Sequence, residues 1–219
     1  MMKTAESTTT GRGGVSATSL AYSFPGRTIW QDLAFTIDDG TFATLVGESG
    51  SGKTTLLQCL GSLERPTSGT LTVGGQEPAA LRGAALRRFR RSMVGFAFQN
   101  AGLVPGWSVR KNIEVGEFRI ARDPDRAREV FARFNLAYEF LGTPVYQLSG
   151  GEQQRVGIIR LALQSPYLLL MDEPTAALDD HNAGKVVDFI TRHCAGGGIA
   201  VVATHDPRLI DASQQVIRL

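Results

Sequence analysis

The sequence predicts an α/β domain with a mostly parallel core sheet, and three observations support that prediction. Short apolar runs alternate with helix-like runs along most of the 219 residues. The apolar run Phe42 to Val46 leads into Gly47-Glu-Ser-Gly-Ser-Gly-Lys-Thr54, which has the spacing of a phosphate-binding loop between a strand and a helix. The runs Leu168 to Met171 and Ile199 to Thr204 have the composition of strands buried on both faces.

Composition excludes several classes of protein. Hydrophobic residues make up 42% and charged residues 20% of the chain, which is typical of a globular domain. The net charge of +2 does not indicate nucleic-acid binding. The longest apolar runs fall far short of the roughly 20 residues that span a bilayer, so any membrane association is expected through a partner. Cys59 and Cys194 lack metal-ligand spacing and are expected to be reduced thiols in a cytoplasmic protein.

The N-terminal part of the domain is predicted to be antiparallel. Residues 1–17 are rich in Thr, Ser, Gly and Ala, contain no signal-peptide block, and are predicted to form a mobile tail before a domain at 18–219. Strand-like segments at Leu20 to Tyr22 and Thr28 to Ile37 flank a turn at Gly26. They predict an antiparallel β subdomain packed on the parallel core.

The rest of the chain alternates between helices and strands. Helices are predicted at Thr54 to Leu60, Ala84 to Arg91, Asp123 to Phe134, Ser149 to Leu163 and Asp180 to Cys194, and a strand at Met93 to Phe98. The density of helical patterns predicts a helical subdomain at about residues 100–160.

The loop at Gly47 to Thr54 has the residue types that a polyphosphate site requires. Its glycines, Gly47, Gly50 and Gly52, permit turns that aim successive backbone N–H groups at phosphate. Lys53 can reach the β and γ phosphates, and the Thr54 hydroxyl can ligate Mg²⁺. The remaining expected contributors to this nucleotide site are Glu48, Ser49, Ser51 and Thr55.

Further polar residues stand at the ends of the predicted strands or at a helix start. Asp172 and Glu173 end an apolar strand, where one acid can hold Mg²⁺ and the next can activate a water. Ser149-Gly150-Gly151 begins a helix and forms a second phosphate-binding geometry. The other such residues are Gln99, Asp179 and His205.

Together these motifs resemble the ATP-binding-cassette (ABC) family, over about residues 18 to 219. The specific part of the resemblance is Ser149-Gly-Gly-Glu-Gln-Gln-Arg155 shortly before Asp172-Glu173-Pro174, with His205 following. The resemblance implies a nucleotide-binding subunit of a transporter, with ATP and Mg²⁺ as ligands. It implies a location at the cytoplasmic face of the cell membrane, held there by an integral membrane permease subunit.

The resemblance also implies a role for each residue. Lys53, Thr54 and the loop amides would hold the phosphates and Mg²⁺, with Asp172 supporting the metal and Glu173 as the general base. Tyr22 would stack on adenine, and His205 would contact the γ-phosphate. The resemblance assigns Gln99 to Mg²⁺ and the attacking water. Ser149, Gly150, Gly151 and Asp179 would serve ATP bound to a second cassette, so two cassettes, identical or paired, are expected to dimerise head to tail around two ATP molecules.

Several alternatives stay open at this point. An arginine cluster between Arg82 and Arg91 could suggest nucleic acid, but no aromatic residues interleave it, and a solvated helix face is expected. The run Phe98 to Pro105 is similar to the branch that serves lipoprotein release, macrolide export and cell division, while an importer of a small solute also fits. A nucleotide-gated regulator of a membrane complex and a soluble iron–sulfur-assembly ATPase are the other readings. The transported substrate is not readable from the sequence.

Overall fold

The computed structural model describes residues 12–98 and 102–219. The described strands are β1 (Val15–Phe24), β2 (Arg27–Ile37), β3 (Phe42–Val46), β4 (Ser68–Val73), β5 (Val94–Ala97), β6 (Leu168–Asp172), β7 (Ile199–Ala203) and β8 (Gln215–Arg218). The described α-helices are α1 (Lys53–Leu60), α2 (Gly83–Ser92), α3 (Val109–Ile113), α4 (Pro124–Arg133), α5 (Gly150–Gln164), α6 (Asp180–Ala195) and α7 (Pro207–Ala212). Every strand and helix predicted from the sequence is present, with boundaries shifted by a few residues.

The core is a five-stranded sheet in the order β5-β6-β7-β3-β8. Each neighbouring pair in it is parallel, which confirms the predicted mostly parallel sheet. Parallel strands present their carboxyl ends at one edge of the sheet. The phosphate-binding loop after β3, the acids at the end of β6 and the residues after β7 therefore meet at the same edge.

The central strands are apolar, except for Thr44 in β3 and Asp172 at the end of β6, because the sheet is covered on both faces. Alternate residues of β6 belong to two different clusters. Leu169 and Met171 join a helical-side core that includes residues of α4 and α5 such as Phe131 and Ile158. Leu168 and Leu170 join a β-side core with residues of the antiparallel sheet such as Leu20. The sheet thus separates the interior into two cores.

A second sheet of three antiparallel strands, in the order β2-β1-β4, confirms the predicted antiparallel part. Val15 pairs with Ile37 on one side and with Val73 on the other. The boundary predicted for the tail differs here, since Val15, Ser16 and Ala17 lie inside β1 rather than before the domain. Val15 and Ala17 are buried, so their apolar side chains hold this part of the chain on the sheet.

The region predicted to be helical contains α3, α4 and most of α5, joined by short 3₁₀ turns. Helix α4 begins where Asp123 caps it and Pro124 fills its first position, as the Asp-Pro pair predicts. Helix α7 and strand β8 near the end of the chain were not predicted. Across the described residues, no helix combines the length and the apolar character needed to cross a bilayer.

Candidate functional site

At two positions of the loop between β3 and α1, the structure has room only for glycine. Gly52 caps α1 in a left-handed conformation, and a Cβ there would lie 2.4 Å from a methyl carbon of Ile29. A Cβ on Gly47 would lie 2.7 Å from Ser51 Oγ. Among the residues that the structure describes, that Oγ is buried without a hydrogen-bond partner, so it is free to donate to a phosphate oxygen.

The polar side chains of the loop are arranged around the start of α1. Lys53 Nζ donates to the carbonyl oxygens of Gly47, at 2.8 Å, and Glu48, at 2.9 Å. These two bonds hold the ammonium group against the loop backbone. Thr54 Oγ1 donates to Asp172 Oδ2 at 2.7 Å. A hydroxyl and a carboxylate oxygen side by side are hard donors of the type that Mg²⁺ accepts together with phosphate oxygens and water. This donor pair fits the implied ion.

Glu173 follows Asp172 in an unusual backbone conformation, with φ of 46°. Left-handed backbone costs a residue other than glycine on the order of 1–3 kcal/mol and persists only where neighbours enforce it. Thr204 Oγ1 donates to Glu173 Oε2 at 3.2 Å, and His205 Nε2 lies 4.0 Å from Glu173 Oε1. The strand ends of β6 and β7 thus place a carboxylate next to an imidazole that is 63% exposed.

The backbone of Glu173 is held by three further hydrogen bonds. Its N–H donates to the carbonyl oxygen of Ala203 at 2.9 Å, which extends the β6–β7 pairing by one residue. Its carbonyl oxygen accepts from Gln154 Nε2 at 3.1 Å and from the N–H of Ala176 at 3.3 Å. Gln154 belongs to α5, and although it lies within the motif Ser149 to Arg155, the sequence analysis assigned it no role in the site.

A cleft of roughly 360 Å³ opens beside Lys53 and Glu173. Its walls come from the loop, from the acids and from the turn between β1 and β2. The lining residues are Phe24, Arg27, Ile29, Ser49, Gly50, Gly52, Lys53, Thr54, Thr55, Glu173 and His205. The structure therefore brings together six of the predicted loop residues, the predicted base and the predicted histidine, while Gly47, Glu48 and Ser51 line a second pocket that shares Ser49 and Gly50 with the first.

The start of α5 lies outside this cleft. Ser149 caps the helix, accepting from the N–H of Glu152 at 3.4 Å, while Glu152 Oε2 accepts from the Ser149 N–H at 2.8 Å. This reciprocal capping box lowers the pKa of Glu152 through its hydrogen bonds to Ser149. Ser149 and Gly150 are exposed. The second predicted phosphate-binding element therefore faces solvent and does not face the phosphate-binding loop of its own chain.

Two other polar networks surround the acids. Asp179 caps α6 by accepting from the N–H of Asn182 at 2.8 Å, and it is exposed. Asp206, directly after His205, accepts from Thr175 Oγ1 at 2.7 Å and from Arg208 Nη2 at 2.8 Å. Its hydrogen bonds to Arg208 and Thr175 lower the pKa of Asp206 to about 2.

The prediction for Tyr22 is wrong. Tyr22 is only 7% exposed, packs 5.6 Å from the ring of Trp30, and donates its hydroxyl to Glu64 at 3.3 Å. Neither ring face is free for a base. Phe24, two residues on, is 50% exposed and lines the cleft. The prediction for Gln99 falls on a residue outside the described ranges.

Comparison with known proteins identifies the family. The family model described as ABC transporter matches residues 30–176, two thirds of the chain. The chain belongs to the ABC transporter family. Its ATP-binding cassette binds ATP and is an ATPase domain, with an α/β fold that combines a parallel core sheet, an antiparallel sheet and helices.

Relatives of this cassette include named export proteins. It is 39% identical over 197 residues to the macrolide export ATP-binding/permease protein MacB of Rhodopseudomonas palustris, covering 86% of the chain and 29% of that protein. It is 35% identical over 195 residues to the pyoverdine export ATP-binding/permease protein PvdT of Pseudomonas entomophila, covering 87% of the chain and 30% of that protein. The chain spans about three-tenths of the length of these relatives.

Solved cassettes share the whole fold. The dimeric structure of MJ0796, described as a bacterial ABC transporter cassette, superposes with a TM-score of 0.85 at 29% identity, over 94% of each chain. The post-hydrolysis dimer of the same protein bound to ADP and phosphate superposes with a TM-score of 0.84 over the same coverage. Both of these MJ0796 structures are dimers.

Proposed function

We propose that this cassette works as one of two, closing head to tail around two Mg-ATP and driving a separate integral membrane permease that exports its substrate. One observation supports this above the others. The cleft beside Lys53 collects a phosphate-binding loop, a base and a histidine, while the second phosphate-binding element, at Ser149, is exposed outside that cleft. A single chain thus carries two halves of a site that only a second cassette can join.

Within one cassette, the loop would bind the triphosphate. The amides of residues 47–55 and the ammonium of Lys53 neutralise phosphate charge, while Thr54 and Asp172 hold Mg²⁺, which supplies further neutralisation when bound. Glu173 acts as general base toward the attacking water, and His205 contacts the γ-phosphate. Gln99, which follows β5, would approach the same water and ion. Positioning and charge neutralisation provide most of the catalysis in phosphoryl transfer.

The adenine is assigned to Phe24 rather than Tyr22. Phe24 ends β1 just before the turn at Gly26, and its half-exposed ring stands at the mouth of the cleft. Stacking between a base and an aromatic ring contributes about 1–3 kcal/mol and needs one free ring face. Phe24 offers such a face, whereas Tyr22 is covered on both.

The second cassette would contribute the start of α5. Ser149, Gly150 and Gly151 present a hydroxyl and a helix N-terminus, which favour an anion such as the γ-phosphate of ATP on the facing subunit. Asp179, exposed at the start of α6, would lie at the same interface. The γ-phosphate then links the two subunits, and its hydrolysis releases them.

Export through a membrane permease is proposed from the relatives. MacB and PvdT are export proteins that carry ATP-binding and permease parts. From these relatives we infer that an integral membrane permease supplies the membrane path and holds the cassette at the cytoplasmic face of the membrane.

The first experiment combines Glu173→Gln with ATP. The variant is expected to lose hydrolysis and to accumulate as an ATP-dependent dimer, measured by sedimentation velocity with and without ATP. Asp188→Asn, a change on α6 outside the cleft, is the matched control and should hydrolyse ATP normally. Hydrolysis by Glu173→Gln near the wild-type rate would exclude Glu173 as the base.

The partner is tested by isolating the tagged variant, with ATP, from detergent-solubilised membranes of its host and identifying co-purifying proteins by mass spectrometry. A stoichiometric integral membrane protein supports the proposed transporter. Recovery of soluble partners alone contradicts it.

A further inference from the structure

We propose that Gln154 is a positioning residue that ties the backbone of Glu173 to the helix beginning at Ser149. When a second cassette engages that helix, the position of Glu173, the proposed base of the same chain, changes with it. The proposal rests on the function proposed above for Glu173 and Ser149. Gln154 has no atom in the cleft lining, and it acts through Glu173 rather than on ATP.

The side-chain amide of Gln154 makes two hydrogen bonds across the loop that follows the acids. Its Nε2 donates to the carbonyl oxygen of Glu173 at 3.1 Å, and its Oε1 accepts from the N–H of Ala177 at 3.1 Å. The side chain is 6% exposed, so both bonds are made in a site with little competing water. One amide group thus spans residues 173 to 177, the segment between the base and Asp179.

The conformation of Glu173 explains why such a contact is needed. A φ of 46° at a residue other than glycine persists only when neighbouring groups enforce it. Three backbone bonds act there: the Glu173 N–H to Ala203, the Ala176 N–H to Glu173, and the bond from Gln154. Only the bond from Gln154 comes from a side chain on α5, so it alone ties this conformation to that helix.

The same helix carries the element that faces the proposed second cassette. Ser149 caps α5, and Gln154 lies just over one turn later on the helix. An α-helix moves as a rigid rod over so short a distance. A shift of its exposed start on binding the partner's ATP is therefore transmitted through Gln154 to the Glu173 carbonyl.

Gln154→Met and Gln154→Glu test the contact. Methionine keeps the length of the side chain and removes both hydrogen bonds, while an ionised glutamate keeps only the bond accepted from Ala177. Both variants are expected to lower kcat for ATP hydrolysis about 10- to 100-fold with KM for ATP unchanged, because the base is displaced while the cleft is not. Gln153→Met is the matched control, since the Gln153 side chain donates to the Leu148 carbonyl just before its own helix and makes no described contact with Glu173.

A double-mutant cycle separates positioning from general destabilisation. Combined with Glu173→Gln, the change Gln154→Met should cause no further loss in the residual rate, because its effect passes through the carboxylate that is already removed. An additive loss, a rise in KM that accounts for the effect, or a kcat equal to that of Gln153→Met would overturn the proposal. If Gln154→Met does not fold, the same measurements on Gln154→Glu test the positioning role.

The cycle also distinguishes the two proposals. If Glu173→Gln hydrolyses ATP normally, the assignment of the base is at fault. If Glu173→Gln is inactive while both Gln154 variants turn over like the control, only the positioning role fails.

Discussion

Replacing Asp206 with asparagine removes the charge at the centre of the network that joins the residues after β7 to those after β6. The Asp206 side chain is 11% exposed and accepts hydrogen bonds from Thr175 and from Arg208. Its pKa falls from 3.8 to about 2 on folding, which corresponds to at most about 2 kcal/mol of stability. Arg208 is 41% exposed, so solvent screening reduces the expected contribution to roughly 1 kcal/mol.

The sign of the pH dependence follows from the lowered pKa. A carboxyl group with a depressed folded pKa stabilises the fold fully above its unfolded pKa, near 3.8, and loses that stabilisation as the pH falls toward about 2. Asp206→Asn is therefore expected to lower the free energy of unfolding by roughly 1 kcal/mol at about pH 7. The difference from wild type should shrink by about half near pH 3.

The assay is urea denaturation of wild type and Asp206→Asn at a series of pH values between these limits. Asp211→Asn provides the control, because Asp211 is exposed on the neighbouring helix α7. A difference that stays constant with pH, or widens on acidification, would refute the reasoning and show that Asp206 contributes through shape rather than charge.

Three further predictions concern the nucleotide site. Ser149→Arg should bind ATP normally in a fluorescence titration yet form no ATP-dependent dimer; a normal dimer would count against the head-to-tail arrangement. Phe24→Ala should weaken ATP affinity about tenfold while Tyr22→Leu, which also removes an aromatic ring, leaves it unchanged, and the reverse pattern would restore Tyr22 as the stacking residue. Thr54→Val removes the hydroxyl bonded to Asp172, so kcat should fall about 100-fold and the Mg²⁺ concentration needed for half-maximal rate should rise; an unchanged Mg²⁺ dependence would remove Thr54 from the metal site.

The parts of the fold set by local patterns could be predicted from the sequence. The phosphate-binding loop is defined by glycine and lysine spacing, and the central strands by unbroken apolar runs, so both were placed correctly. The start of α5 was predicted at Ser149, and the structure shows a capping box there with Glu152 three residues later. In each case the information lies within about ten consecutive residues.

The errors arose where the structure breaks a local rule. β1 has irregular register on both sides of Tyr22, between Leu20 and Tyr22 and between Tyr22 and Ser23. Such irregularities change which face a residue presents, so strand alternation could not tell the buried Tyr22 from the exposed Phe24. The left-handed backbone of Glu173 could not be predicted either, because glutamate disfavours positive φ and gives no sequence signal for it.

Side-chain contacts between segments far apart in the sequence could not be predicted either. Gln154 meets Glu173 across 19 positions, and Arg208 meets Asp180 across 28. No periodicity or motif encodes such pairs, because each depends on how two separately formed elements pack. Gln154 lies within the motif Ser149 to Arg155, yet the motif does not name its partner, and Arg208 belongs to no motif.

The division of the interior by the sheet has a consequence for how this cassette unfolds. Neighbouring residues of β6 insert alternately into the helical-side and β-side cores, so both cores lose their shared wall if that strand separates. Amide protons of β6 and β7 should therefore exchange with solvent only through global unfolding, while helices α3 and α4 can open locally at lower free energy. Strand β6, which ends at Asp172, and strand β7, which ends two residues before His205, are thus expected to form the slowest-exchanging part of the protein. The nucleotide site would then be built on the segment that opens least often.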